Sequence, residues 1–202
     1  MTIRQIRVGY DNFSYIISCP ETKKAALVDP GYDGHRLIEL IKSNDLKLVF
    51  IIVTHHHSDH TGEIGVVKDA FPKARIVASK NVSSNHDYKV ERLVSDKEHI
   101  TLGKVTLEFL LTPGHTHDGI CILADDEAII TGDTLFIGDC GRVDMPGGSS
   151  KEMYETLDKK IKPLPDDTIV YPGHDYGLRP YDTIGNLRTN IISILKEIKK
   201  YL

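Results

Sequence analysis

The sequence has few cysteines, and this absence excludes several kinds of site. The three that occur, Cys19, Cys121 and Cys140, lie far apart, are odd in number and form no C-x-x-C pair. The chain therefore has neither a disulfide framework nor the C-x-x-C pair of a redox centre or a structural zinc site. Unpaired cysteines are typical of a reducing compartment, so we expect a cytoplasmic protein.

Long apolar segments and an excess of positive charge are also absent. No window approaches the roughly 18 consecutive apolar residues of a membrane span, and the N-terminus lacks the apolar core of a secretory signal. The formal net charge is −4, which gives no basic surface for nucleic acid. We therefore expect a small-molecule partner, with neither nucleic acid nor membrane involved. No linker or low-complexity tract divides the chain, which predicts a single domain over residues 1–202.

Apolar periodicity predicts short strands with helices interspersed among them. The predicted strands are residues 13–18, 25–29, 48–53 and 75–79, a hairpin within 99–111, a second pair at 120–123 and 128–131, and 168–171. The predicted helices are Gly34–Ser43, Gly62–Phe71, Ser149–Ile161 and Ile184–Leu202. Strands dominate this order, which favours an α/β (α+β) fold with a sheet-on-sheet core and helices outside.

Four predicted strands end in groups that bind metal ions. The run T-H-H-H-S-D-H (54–60) follows one apolar strand, and T-P-G-H, T-G-D and Y-P-G-H follow three others. If these strands lie side by side, seven side chains converge at one edge of the sheet: His55, His57, Asp59, His60, His115, Asp133 and His174. Gly114, Gly132 and Gly173 beside three of them allow sharp turns and close approach. Imidazole and carboxylate ligands suit zinc, iron or manganese.

The spacing predicts two ions rather than one. His55, His57 and His115 form the first set, and His56 between the first two points elsewhere. Asp59, His60 and His174 form the second set. Asp133 is shared, because a carboxylate has two oxygens and can bridge. The remaining histidines are predicted to lie outside the ligand set, as surface or capping residues (His35, His86, His99) or lining the pocket (His117).

The ordered motifs T-H-H-H-S-D-H, T-P-G-H, T-G-D-T-L-F and Y-P-G-H resemble those of the metallo-β-lactamase superfamily over about residues 50–177. The preceding A-L-V-D-P-G is also typical of that superfamily. The resemblance implies an αββα sandwich of two mixed β-sheets flanked by helices, with the metals at one edge. It implies the same seven ligands.

Within the superfamily, the run G-D-T-L-F-I-G-D-C-G-R resembles glyoxalase II enzymes, which hydrolyse S-acyl thioesters of glutathione, and the related persulfide dioxygenases. The later runs C-G-R-V-D-M-P-G-G and Y-P-G-H-D-Y-G look like short glyoxalase II-like proteins. The resemblance implies that Arg142 and Tyr176 bind substrate, with a structural salt bridge as the alternative for Arg142. Only about one helix follows His174, where glyoxalase II has a helical domain, so the thiol carrier stays open.

Two enzyme classes follow from these residues. The first is hydrolysis of an S-acyl thioester by a hydroxide that bridges two divalent ions, zinc first, with iron or manganese as alternatives. Asp133 and Asp59 are then catalytic, since Asp133 links the ions and Asp59 orients the hydroxide. The second is a mononuclear iron persulfide dioxygenase that uses His55, His115 and Asp133; a lactonase ranks below both. The acyl group, the metal occupancy and the oligomeric state, with a homodimer as one option, stay open.

Overall fold

The computed structural model describes residues 1–84 and 87–202, which form two six-stranded sheets. The strands are β1 (Thr2–Val8), β2 (Asn12–Ser18), β3 (Lys24–Val28), β4 (Lys47–Ile52), β5 (Arg75–Ser79), β6 (Arg92–Val94), β7 (Glu98–Leu102), β8 (Val105–Leu111), β9 (Ile120–Ala124), β10 (Ala128–Gly132), β11 (Ile169–Pro172) and β12 (Asp182–Thr183). The helices are α1 (Gly34–Ser43), α2 (Ser58–Thr61), α3 (Ile64–Ala70), α4 (Ser150–Thr156) and α5 (Ile184–Lys199).

Both sheets are mixed. The first follows chain order from β1 to β6, antiparallel as far as β3 and parallel from β3 onward. The second has the order β12-β11-β10-β9-β8-β7, in which only β10 and β11 run parallel. The two sheets together make the centre of the molecule.

The sheets pack face to face, and helices cover the outer face of each. The layer between the sheets includes Phe13, Tyr15, Phe50 and Phe109. The outer face of the first sheet packs against α1 and α3, and that of the second packs against α4 and α5. All seven residues of β2 are buried, because both of its faces are covered. The four layers confirm the predicted αββα sandwich.

Helix α1 occupies the predicted residues. The predicted helix over 62–71 forms as α3, whereas the short helix α2 before it was not predicted, and a break at Gly62 and Glu63 separates the two. The break arises because the backbone N–H of Glu63 donates to the carbonyl of Pro30 at 2.9 Å rather than to the preceding turn. The predicted helix over 149–161 begins as α4, with Ser149 as its cap, and ends in a wider π-helical turn (Leu157–Ile161).

Three strands were not predicted. β1, β6 and β12 all lie at sheet edges, where one face or one hydrogen-bonding side is open to solvent and the apolar pattern is weak. Among the described residues, no helix combines the length and the apolar character needed to cross a membrane.

Candidate metal centre

Strand ends from both sheets supply the side chains of the centre. From the first sheet, β3 is followed by Asp29 and β4 by the histidine cluster at residues 55–60. From the second sheet, β8 leads to His115, β10 to Asp133 and β11 to His174. The predicted convergence therefore spans two sheets rather than one.

Backbone hydrogen bonds hold the two sheets together at this edge. The N–H of Ile120 donates to the carbonyl of Thr54 at 2.9 Å, and that of Phe13 donates to the carbonyl of Gly173 at 2.8 Å. Gly132, at φ 49°, adopts a left-handed conformation in the turn before Asp133. A Cβ on Gly173 would lie 2.3 Å from Oδ1 of Asp133, so only glycine fits between the two strand ends.

Three histidines form the first group of potential ligands. Nδ1 of His57 lies 3.1 Å from Nε2 of His55 and 3.0 Å from Nε2 of His115. Tetrahedral bonds of 2.0–2.1 Å to zinc place nitrogens about 3.3 Å apart. The spacing of the three nitrogens therefore suits a shared ion with little adjustment.

Asp59, His60 and His174 form the second group. The two Nε2 atoms lie 3.3 Å apart. Oδ2 of Asp59 lies 3.4 Å from Nε2 of His60 and 3.5 Å from that of His174. The potential ligand atoms of each group all lie within 4.8 Å of one another. The structure thus brings the predicted ligands together in the two sets that the spacing indicates.

Asp133 lies between the two groups. Its Oδ2 is 3.6 Å from Nε2 of His115 and 3.3 Å from Nε2 of His174, and its Oδ1 is 3.4 Å from Nε2 of His60. Burial alone raises the pKa of this carboxyl, but the rings of His60, His174 and His55 outweigh it and hold the pKa well below its usual range. Asp133 is therefore a buried anion that needs positive charge beside it.

The orientation of each ring is set by a partner on its far nitrogen. Nδ1 of His115 contacts the carbonyl oxygen of Arg142 at 2.7 Å, and Nδ1 of His174 contacts Oδ1 of Asp11 at 3.2 Å. A carbonyl or carboxylate oxygen can only accept, so Nδ1 carries the proton in both rings. In the neutral rings, Nε2 of His115 and His174 therefore points a lone pair into the centre, as a metal ligand must.

Asp29 gives the same orientation to two further rings. Its buried carboxylate accepts hydrogen bonds from the N–H of Thr54 at 2.7 Å and from Oγ1 of Thr54 at 2.6 Å. Because the Thr54 hydroxyl donates to Asp29, it accepts from Nδ1 of His55 at 3.1 Å. Asp29 also binds Nδ1 of His60 directly, at 3.0 Å. One carboxylate thus orients a ligand from each group.

The electrostatics of the centre favour a bound cation. Burial lowers the pKa of His60, but the carboxylates of Asp133, Asp29 and Asp59 outweigh burial and raise the pKa to about 9. For His55, burial and the neighbouring His60 lower the pKa well below its usual value. The second group therefore attracts positive charge, from a proton or from a metal that displaces it, while His55 stays neutral.

The potential ligands also have the chemical character that a metal site requires. Oδ1 of Asp133 is buried and has no hydrogen-bond partner among the described residues, which is costly unless an ion or water completes it. Five imidazoles with two carboxylates suit divalent zinc, iron or manganese. The residues therefore fit a centre for divalent metals.

The two predicted substrate contacts differ in their surroundings. The Arg142 guanidinium is exposed and makes two hydrogen bonds to Asp144, of 2.7 and 2.8 Å, while its carbonyl orients His115. Tyr176 is stacked on His174, with ring centroids 4.7 Å apart and planes at 12°. Tyr176 thus lies directly beside the centre, and Arg142 has the salt bridge that the alternative interpretation predicts.

The other described histidines belong to neither group of potential ligands. Nδ1 of His56 bonds to Oδ1 of the buried Asp118 at 2.8 Å, so the ring turns away from the centre. His35, His99 and His117 are exposed, whereas His86 lies outside the described residues.

Three positioning residues were not singled out from the sequence. They are Asp11, Asn12, whose Nδ2 donates to Oδ2 of Asp59 at 3.0 Å, and Asp29. The motif A-L-V-D-P-G placed Asp29 at a strand end and could have indicated it. The D-N pair at 11–12 is an ordinary hairpin turn, and nothing in its sequence indicates contact with residues 59 and 174.

The chain is similar to known proteins over the region that contains these motifs. A family model described as the metallo-beta-lactamase superfamily matches residues 8–174. A probable hydroxyacylglutathione hydrolase of Schizosaccharomyces pombe is 37% identical over 172 residues, which are 82% of this chain and 64% of that protein. The chain thus spans less than two thirds of that relative's length.

A second kind of relative is nearly as similar. The mitochondrial persulfide dioxygenase ETHE1 of Homo sapiens is 33% identical over 179 residues, which are 88% of this chain and 69% of that protein. The crystal structure of ETHE1 from Myxococcus xanthus superposes with a TM-score of 0.85 at 29% identity, covering 98% of this chain and 91% of that one.

Proposed function

Because the chain belongs to the metallo-β-lactamase superfamily, we propose that it is a metal-dependent hydrolase that cleaves S-acyl thioesters. The observation that carries the proposal is the presence of two complete ligand groups with Asp133 between them. The second group has partners of its own in Asp11 and Asn12, which a centre that uses only the first group would not require. The 37% identity to a probable hydroxyacylglutathione hydrolase supports the same activity.

In this proposal, His55, His57 and His115 would hold one divalent ion, and Asp59, His60 and His174 would hold the other. Asp133 lies between the two groups and would serve both. Zinc is the first choice for both. When bound, the ions supply a hydroxide at neutral pH and stabilise the negative charge that develops on the carbonyl oxygen.

The protein contributes orientation. Asn12 holds Oδ2 of Asp59 at 3.0 Å, which leaves that carboxylate in position to accept a hydrogen bond from the attacking oxygen. The partners on the far nitrogens fix His115 and His174, so no ring has to turn during the reaction. A thiolate departs without a strong general acid, and the proposed site uses none.

Metal analysis combined with two assays tests the proposal. The protein is purified without added metal, and its metal content, thioester hydrolysis and oxygen uptake on a persulfide are measured on the same sample. We expect two divalent ions per chain together with thioester hydrolysis. A single iron with oxygen uptake and no hydrolysis would contradict the proposal.

A matched pair of variants assigns the activity to the site. Asp133→Asn removes the charge between the two groups, and we expect hydrolysis to fall by more than about a hundredfold, since even outer partners of metal ligands cost 10–100-fold. Asp126→Asn makes the same change at an exposed turn between β9 and β10 and should retain wild-type activity. Equal rates in the two variants would mean that the site does not catalyse the reaction.

The second candidate is a persulfide dioxygenase. It is favoured by the similarity to two ETHE1 proteins and by the position of Asp133 beside the first histidine group. His55, His115 and Asp133 are the two-histidine, one-carboxylate set that suits non-haem iron. The oxygen-uptake assay above decides between the two candidates.

A further inference from the structure

The exposed aromatic side chains of this chain are unevenly distributed. The sequence has no tryptophan, and the exposed aromatic residues among those described are five tyrosines: Tyr10, Tyr32, Tyr176, Tyr181 and Tyr201. Single exposed tyrosines are ordinary. Three of these five, however, are attached to backbone segments that contact the ligands of the second group.

Tyr176 is the first of the three. Its ring is stacked on His174 and meets Phe136 edge-on, with centroids 5.0 Å apart and planes at 77°. The side chain nevertheless remains 58% exposed. The ring is therefore held in place on one side and presents its remaining surface to solvent beside the centre.

Tyr10 stands at the tip of the β1–β2 hairpin and is 89% exposed. Its carbonyl accepts a hydrogen bond from Nη2 of Arg7 at 3.1 Å, and Nη1 of Arg7 lies 3.2 Å from Oδ2 of Asp175. The N–H of Asp175 in turn donates to the carbonyl of Asp11 at 2.7 Å. The hairpin tip is thus fastened to the segment that carries Tyr176.

Tyr32 completes the group from the loop after β3 and is 42% exposed. Its ring lies against the hairpin turn, since a Cβ on Gly9 would come within 2.6 Å of Cδ2 of Tyr32. The preceding Gly31 is pressed against the backbone of Asp59, whose carbonyl oxygen would lie 1.6 Å from a Cβ on Gly31. The segment that carries Tyr32 therefore contacts both the hairpin turn and the backbone of a potential metal ligand.

We propose that Tyr10 and Tyr32 extend the surface of Tyr176 into a tyrosine rim (Tyr10, Tyr32, Tyr176) that binds a flat apolar group of the thioester substrate. This inference rests on the proposed thioester hydrolysis and adds a preference for a class of substrate. Tyrosine rings supply large apolar contact area at low entropic cost, which suits recognition of such a group at an open site.

Charged side chains on both sides of the centre are paired with one another. Arg7 pairs with Asp175 beside the tyrosines, and Arg142 pairs with Asp144 beyond the first ligand group. The tyrosine rings are therefore the surface beside the second group that an apolar part of the substrate can contact.

Three thioesters test the rim and locate the apolar group. S-acetyl-N-acetylcysteamine has no ring, S-phenylacetyl-N-acetylcysteamine has a ring in the acyl part, and S-benzyl thioacetate has a ring in the thiol part. For the ring-bearing substrate that uses the rim, Tyr10→Ala and Tyr32→Ala should each lower the kcat/KM ratio to the ring-free substrate by roughly two- to tenfold. The substrate whose ratio falls identifies the arm, acyl or thiol, that the rim holds.

Two control variants separate ring contact from other effects. Tyr10→Phe keeps the ring and should keep the ratio. Tyr201→Ala removes an equally exposed tyrosine just beyond α5 and should change no rate. Unchanged ratios in both alanine variants, with all three thioesters hydrolysed, would overturn the rim while the proposed function stands.

If the wild type hydrolyses none of the three thioesters, the proposed function fails, and binding then decides on the rim. The probe is the thioether S-benzyl-N-acetylcysteamine, which cannot be hydrolysed, titrated by calorimetry. Binding that is weaker by roughly two- to tenfold in Tyr10→Ala and Tyr32→Ala supports the rim. Equal binding to wild type and variants overturns it.

Discussion

Oδ2 of Asp29 lies 3.0 Å from Nδ1 of His60, and both side chains are almost completely buried. The same carboxylate accepts two hydrogen bonds from Thr54, whose hydroxyl orients His55. One residue at the end of β3 therefore sets the direction of a ring in each half of the centre, although it contributes no atom to either ligand group.

Asp29→Asn tests this arrangement. The amide nitrogen would donate to Nδ1 of His60 and drive the ring proton to Nε2, the nitrogen that faces the centre. We expect metal affinity to fall by about 10–100-fold, as for other outer partners of metal-binding histidines. The measurement is competition for zinc against a chromophoric chelator, with circular dichroism to verify the fold.

Asp45→Asn is the matched control for that variant. Asp45 shares the left-handed backbone of Asp29, with φ 53° against 51°, but lies exposed in the turn between α1 and β4. Its replacement should leave zinc affinity unchanged. An affinity for Asp29→Asn equal to that of Asp45→Asn would mean that Asp29 does not orient the ligands.

The potential ligands could be predicted from the sequence because each one follows an apolar run directly. Strand ends of a packed sheet meet at one edge. The local sequence therefore indicates where the motif of residues 54–60 and the later His115, Asp133 and His174 lie in the fold. Asp11 and Asn12 have no such signal. Their contacts to His174 and Asp59 join residues that are far apart in the chain and depend on how the hairpin folds over the edge.

The differences in the fold have a similar cause. The break between α2 and α3 depends on the hydrogen bond from Glu63 to Pro30, a contact between two distant segments that periodicity does not record. The edge strands β6 and β12 have three and two residues, which is too short for a pattern with a period of two to emerge.

The pair of His56 and Asp118 predicts a pH dependence of stability. The hydrogen bond to Asp118 raises the pKa of His56 above its usual value of 6.5, so the contribution of the ring is full below that value and is lost as the pH rises through the folded pKa. For Asp118, burial raises the pKa but His56 outweighs it, so its contribution is present above about 3.8 and is lost in acid. The pair should therefore stabilise the fold most between about pH 4 and 6.5.

Urea unfolding of wild type and His56→Gln from pH 5.5 to 9 measures this contribution. The difference in the free energy of unfolding should shrink as the pH rises, and it should not exceed about 1 kcal/mol because the ring is partly exposed and screened. His35→Gln, which removes an exposed imidazole from α1, is the control. A difference that grows with pH would contradict the assigned pairing.

Gly173→Ala tests how closely the two strand ends must approach. The new methyl group would lie 2.3 Å from Oδ1 of Asp133 and 3.0 Å from Cε1 of His60, so the carboxylate between the two ligand groups has to move. We expect zinc affinity to fall by about tenfold or more and stability to fall by about 1–3 kcal/mol from overpacking.

Gly65→Ala makes the same substitution in α3, where nothing lies within 4 Å of the added carbon, and helix propensity should raise stability by about 0.4–1 kcal/mol. Chelator competition and urea unfolding are measured on both variants. They show whether the loss comes from the position of Gly173 or from replacing a glycine by alanine as such. If Gly173→Ala binds zinc as tightly as Gly65→Ala, then the contact between Gly173 and Asp133 does not set the geometry of the centre.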